Sequence, residues 1–294
     1  MSNMKIYAIG IGWFVLSLAS SALNDIIAKY TGTNLGAMQV TFLRCFFSFI
    51  TLIPFILYYG IETIKTHHPF VQIFRGVLLF LGIGSWIFGL GVVPVSTATA
   101  LSFSVPLFVL VFAYFFLDEK IIWQRWVATI IGFVGLMLTL HVHESDFNYQ
   151  SLIFVFAAIA FASLDIINKK FVVKESMLCM LFYSAMVTTL LALAPALADW
   201  HQPSMHQLGL LFILGCSANL ILFFLLKAFS LVDATAVAPY RYFELALSAT
   251  AAYLVFGEMP NQSTIYGVAI LIPTTLFIAW SESKNKKTRG KYTQ

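Results

Sequence analysis

Charge is scarce in this chain. Of its 294 residues only 10% are charged, where a soluble domain carries about 25%. Hydrophobic residues make up 60% and mean hydropathy is +0.88, more apolar side chain than one globular core absorbs. Residues 93–117 contain no charged side chain, and roughly 20 helical residues cross a bilayer core. The pattern defines a polytopic helical membrane protein. Cysteine is scarce too. Cys45, Cys179 and Cys216 all lie in apolar runs, with spacing that suits neither zinc nor a disulfide framework. The six histidines fall in loops or at span ends, which gives no metal-ligand context. There is no P-loop, H-E-x-x-H or G-x-S-x-G, which argues against ATP-driven pumping and most enzymes. No cofactor is implied. A cleavable leader is also not expected, because Asn24 and Asp25 stand where its processing site would be.

Breaking the apolar runs at polar clusters predicts ten spans, near 6–28, 37–59, 71–92, 95–117, 122–140, 150–172, 177–198, 207–229, 236–256 and 263–281. Cytoplasmic loops collect Lys and Arg. With the N-terminus inside, Lys5, Lys65, Lys120, Arg125, Lys169, Lys170, Lys174 and Lys227 all fall inside, leaving Lys29 near the outer face. Both termini are then cytoplasmic. The net charge of +4 does not point to nucleic acid, since Lys284, Lys286, Lys287, Arg289 and Lys291 form a solvated tail suited to anionic lipid.

"DIIAK" (Asp25–Lys29) returns as "DIINK" (Asp165–Lys169), 140 residues later. Glu119 after span 4 and Glu258 after span 9 lie 139 apart, ending the runs "AYFFLDE" and "AYLVFGE". With five spans in each half, the repeats have opposite orientation. The expected organisation is residues 1–144, residues 145–283, and the basic tail 284–294. Inverted halves of this kind rock about a midplane site.

Ionisable side chains within a bilayer are costly and are candidates for function. Here they are Asp25, Arg44, Asp165, Arg241 and Glu244. Arg241 and Glu244 are three apart and share a helical face, joined by Tyr240 and Ser248, with Tyr242 pointing elsewhere. Pro239 is expected to kink or unwind the helix there. One reading is a self-neutralised pair that ties span 9 to a neighbour. The favoured one is recognition of a zwitterion, Arg241 taking a carboxylate and Glu244 a cation. Ser17, Ser21, Asn24 and Asp25 form a polar stripe on span 1. Asp25 and Asp165 either snorkel to the interface or serve as cation contacts, proton sites or gate groups, and Arg44 either pairs with a carboxylate or binds ligand. Asn219 and Trp86 fall mid-span and are able to complete a pocket. Arg75, at the start of span 3, reads as an interface anchor.

The stretches "FLRCFFSFITLIPF", "LGVVPVSTATALSFSVPLFVLVFAYFFLDEKI" and "LVDATAVAPYRYFELALSATAAYLVFGEMP" resemble the drug/metabolite transporter superfamily of EamA type, over essentially the whole chain. The second half departs from the usual pattern. Leu245 stands where span 4 has Pro106, and Arg241 and Glu244 occupy normally apolar ground, which suggests a specialised substrate site.

"IGWFVLSLASSALNDIIAKYTGT", "LDIINKKFVVKESMLCMLFYSA", "LLKAFSLVDATAVAPYRYFEL" and "IPTTLFIAW" look like the S-adenosylmethionine uptake transporters of rickettsia-like intracellular bacteria. That resemblance implies import of S-adenosylmethionine across an inner membrane, in exchange for S-adenosylhomocysteine. Under it, Glu244 would meet the sulfonium or ammonium, Arg241 the carboxylate, and Tyr240 or Trp86 the adenine. The same set would hold an aromatic amino acid, so a metabolite exporter on this fold stays open.

Overall fold

The computed structural model describes residues 3–31, 35–90, 101, 103–119, 121–139, 149–256 and 273. The predicted tenth span, Glu258, the basic tail, the start of span 4 and the side chain of Asp25 lie outside them. Every regular element among the described residues is helical: α1 (Asn3–Thr31), α2 (Ala37–Tyr59), α3 (Pro69–Leu90), α4 (Val105–Phe116), α5 (Trp123–Thr139), α6 (Leu152–Phe171), α7 (Met177–Ala198), α8 (Met205–Leu231), α9 (Ala234–Val237) and α10 (Phe243–Phe256). Six of them, α1 to α3 and α6 to α8, are long and apolar enough to cross a membrane. The protein is a multi-pass membrane protein.

Local chemistry sets the boundaries. Pro69 opens α3, where its missing N–H goes unused and its fixed φ suits a helix start. The Ser176 hydroxyl caps α7 by accepting from the Cys179 amide. Ser204 and Gln207 cap α8 reciprocally. The predicted ninth span is broken. A 3-10 turn, Ala238–Tyr242, separates α9 from α10 at Pro239, where the lost donor and ring clash disfavour a continuous α-helix. This local rewinding matters for the site.

The helices pair in a pattern with internal symmetry. α1 packs on α8, α3 on α6, and α2 on α7. If α6 to α8 repeat α1 to α3, the first two pairings are images of each other and the third maps onto itself. The pairing of α1 with α10 likewise mirrors that of α6 with α4. The α3–α6 pair is antiparallel: Arg75 meets Asn168, Gly82 meets Phe161, and Gly89 meets Phe154. The α1–α8 pair runs the same way, from Gly10 against Val232 to Asn24 against Leu214.

Close-approach glycines carry the repeat as well. A Cβ on Gly76 would stand 2.6 Å from Val187 Cγ1, and one on Gly215 would stand 2.6 Å from the Ser48 amide and 2.8 Å from Phe47 Cβ. Gly76 and Gly215 are 139 residues apart, and Phe47 and Val187 are 140 apart. Pro54 inside α2 and Pro195 inside α7 follow the same offset within a residue. These contacts match the spacing of the two pentads, so the duplication is built into the packing.

Candidate functional site

The broken ninth segment brings the charges together differently from a helical wheel. Arg241 leaves the 3-10 turn and donates through Nη2 to Asp165 Oδ2 of α6 at 2.6 Å. Asp165 is 5% exposed, so it is engaged in the interior and does not snorkel. Glu244, the first acidic residue of α10, takes its hydrogen bond from Ser21 of α1 and feels Arg241 only through space. Of the two readings of this pair, the self-neutralised Arg241–Glu244 contact is not what forms among the described residues: Arg241 pairs with Asp165 across to α6 instead. Among the described residues Glu244 forms no ion pair.

Ser17, Ser21 and Asn24 of the span 1 stripe all reach neighbouring helices. Ser17 donates to the Ile221 carbonyl of α8 at 2.8 Å. One turn on, Ser21 meets Glu244. Another turn on, Asn24 donates to the Leu214 carbonyl and Ser217 hydroxyl at 3.2 and 2.5 Å, and accepts from Arg44 Nη1 at 3.4 Å. Asp165, Arg241 and Glu244 therefore form one layer, with Asn24 and Arg44 one turn away along α1.

Other candidates lie elsewhere. Asn219 ties α8 to α2, donating to the Ser48 carbonyl at 2.8 Å and Thr51 Oγ1 at 2.9 Å while accepting from Ser48 Oγ at 2.7 Å. Trp86 packs edge-on against Phe154, ring centroids 5.3 Å apart. Gly82 and Gly89 bracket it opposite Phe161 and Phe154, which puts it about 12 Å along the bundle from Asp165 at the helical rise. Tyr240 is buried in the main core. Tyr242 lies against Gly132 and stacks with Phe103. A surface recess is lined by Phe88, Tyr149, Gln150 and Ile153, with no acid or base among them.

Two clusters escaped sequence reasoning. Arg75 is fully buried and no interface anchor. It donates to Asn168 Oδ1 at 2.8 Å, Gln72 Oε1 at 2.5 Å and the Met180 carbonyl at 3.3 Å. Asn168 is one turn below Asp165 on the same face of α6, and this spacing was the available signal. The second cluster bolts the repeats together at the Lys169 end. Glu119 accepts from the Ala234 and Thr235 amides at 2.9 and 3.1 Å and from Thr235 Oγ1 at 2.6 Å. A carboxylate at a helix N-terminus satisfies orphan donors. Asp118, at φ 52°, turns the chain into this position, a conformation Asp tolerates better than most residues. Arg125 bridges Asp233 at 3.2 Å and Thr235 Oγ1 at 2.5 Å, and Lys169 donates to the Phe229 and Val232 carbonyls at 2.7 Å each.

Paired halves of membrane helices around an interior charge layer define a secondary-transporter architecture. The EamA-like transporter family matches residues 8–141 and 149–280, and the chain belongs to it. The chain is 61% identical over 281 residues to the S-adenosylmethionine uptake transporter of Rickettsia bellii, covering 96% of this chain and 97% of that one. It is 60% identical to the Rickettsia conorii protein of the same name, covering 96% of each. The riboflavin transporter of Vibrio cholerae is 30% identical over 95% of both chains. One solved crystal structure shares the fold at TM-score 0.83 with 13% identity, covering 95% of this chain and 98% of that one.

Proposed function

We propose that the protein imports S-adenosylmethionine across the inner membrane by alternating access, with ten spans, both termini cytoplasmic, and S-adenosylhomocysteine as the exchanged solute. The observation that carries the reading is Glu244. It is a carboxylate inside the membrane layer, held by Ser21 and unmatched by an ion pair among the described residues, beside an Arg241 already matched by Asp165. A lone carboxylate in low dielectric calls for a cation. The sulfonium or ammonium of S-adenosylmethionine supplies one. Arg241 takes the substrate carboxylate, with Asp165 holding the guanidinium in place. Asn24 and Arg44 border the site one turn along α1, and Asp25 serves as a gate or cation-contact residue. Trp86 offers an aromatic face at a distance that an extended amino-acid-to-adenine molecule bridges. Tyr240 shapes the wall beneath Arg241, and Asn219 keeps α2 and α8 in register. The names of the 61%- and 60%-identical relatives support the same substrate.

Competition against labelled S-adenosylmethionine on purified protein tests this. S-adenosylhomocysteine and S-adenosylmethionine should displace the label, while riboflavin and aromatic amino acids should not. Displacement by an aromatic amino acid, with adenosyl compounds inert, would replace this reading with metabolite export.

A further inference from the structure

The buried Arg75 does not use all of its donors. Its Nε and Nη1 reach Asn168 Oδ1, Gln72 Oε1 and the Met180 carbonyl. Arg75, Gln72 and Asn168 are all fully buried, yet Nη2 of Arg75, Nε2 of Gln72 and Nδ2 of Asn168 have no acceptor among the described residues. Three spare donor groups thus gather around one fixed positive charge. Glu175 lies within electrostatic reach of the guanidinium. Its own oxygens, however, take the Thr66 hydroxyl at 2.8 Å and the Cys179 thiol at 3.9 Å. It offsets charge through space and accepts from none of the three spare donors.

The duplicated fold shows what this place needs for packing alone. At the offsets of 139 and 140 residues that relate the helices, Gln72, Arg75, Glu175 and Met180 correspond to Leu211, Leu214, Leu35 and Val40. Leu35, Leu211 and Leu214 form one buried cluster, and Val40 packs against it. The same helix crossing is therefore filled with leucine in one copy and with an arginine and its donors in the other. Packing does not call for the charge, and burying it is costly. N–H groups converging on a guanidinium suit an acceptor that carries negative charge. We propose that Gln72, Arg75 and Asn168 form a binding site for a small monoanion, of the size of chloride or a carboxylate group. The anion joins α3 of the first half to α6 of the second, one helical turn from Asp165 on the Lys169 side. It has two sources, a free ion or the carboxylate of the solute, and only the second rests on the substrate assignment above.

Thermal melting of the solubilised full-length protein at constant ionic strength, with sodium chloride replacing sodium gluconate, tests the free ion. Chloride should raise the melting temperature by about 2 °C for each tenfold rise above its dissociation constant. Gln72→Glu keeps an oxygen on Arg75, removes a spare donor and supplies a built-in carboxylate. It should melt above the wild-type protein in gluconate and lose the chloride response. Asn168→Asp does the same on the other edge of the guanidinium and serves where Gln72→Glu does not fold. For the solute's carboxylate, calorimetric titration compares S-adenosylmethionine with its decarboxylated analogue. The wild-type preference for the intact molecule should shrink by about tenfold in Gln72→Glu. A response in either arm that the variants lose supports the site, and the arm names the source. Melting indifferent to chloride, together with a preference unchanged in the variants, overturns it. A chloride response that persists in both variants places the ion elsewhere and overturns it as well. Absence of any S-adenosylmethionine binding overturns the substrate assignment and leaves the chloride arm to decide this inference.

Discussion

Arg241 and Asp165 meet at 2.6 Å across 76 residues of sequence, joining the 3-10 turn of the ninth segment to α6. This contact fixes a guanidinium that would otherwise be free to collapse onto Glu244 three residues away. Because the guanidinium is matched by Asp165, Glu244 is left without an ion pair among the described residues.

Breaking that pair should cost more than either charge is worth alone. Removing one partner of a buried ion pair destabilises by about 3–5 kcal/mol, and the partial exposure of Arg241, 22% of its side chain, puts the effect at the lower end. Asp165→Asn should lower the melting temperature in detergent and abolish transport. The double variant Asp165→Asn/Arg241→Gln should melt above Asp165→Asn while staying inactive. A double variant less stable than the single would show that the pair is not the relevant partner set.

Glu244→Gln keeps shape and removes charge. Hydrogen-bonded contacts to charged groups contribute about 1.5–3 kcal/mol, so S-adenosylmethionine affinity should fall roughly 10- to 100-fold. S-adenosylhomocysteine, which keeps the ammonium but lacks the sulfonium, should lose much less if Glu244 meets the sulfonium and as much if it meets the ammonium. Calorimetric titration of both ligands separates the two, and unchanged affinity for both would assign Glu244 a structural role.

The repeat-related glycines give a packing test. Overpacking a tight contact costs about 1–3 kcal/mol. Gly76→Ala meets the Val187 Cβ as well as its Cγ atoms, and Val187→Ala removes only the latter, so it should restore part of the lost stability. Gly215→Ala meets the Ser48 backbone and should be the more damaging change, with no side-chain rescue. Thermal unfolding of the four proteins decides this.

Glu119→Gln weakens the cap on α9, and losing a helix cap costs about 0.5–2 kcal/mol. The bolt at the Lys169 end should then open more often. A cysteine placed at the buried Val232, in a protein otherwise free of cysteine, should react faster with a thiol reagent in the Glu119→Gln background. Unchanged labelling would mean that the bolt does not gate access.

Much of the frame was legible in the sequence, because lipid imposes long uncharged runs and tight links impose antiparallel neighbours. α2 and α7 begin and end at the predicted residues, while the partners of Ser17, Ser21 and Asn24 on α8 and α10 come from the structure alone. What sequence missed came from departures from the regular helix. Arg241 pairs with Asp165 of α6, 76 residues away in sequence, a tertiary partner that no wheel of the ninth segment alone can supply. Arg75 looked like an interfacial anchor because its partners, Gln72, Asn168 and the Met180 carbonyl, come from three helices. Glu119 was singled out by its repeat partner Glu258, yet its work on the α9 amides depends on a tertiary contact no local pattern encodes.

The most direct test of the account is uptake of labelled S-adenosylmethionine by vesicles holding the purified protein, with and without S-adenosylhomocysteine inside. The account predicts uptake by the wild-type protein that preloading accelerates and that Glu244→Gln reduces by at least the roughly tenfold lower bound set by its lost charged contact. No uptake in tight, correctly loaded vesicles, under either condition, would contradict it.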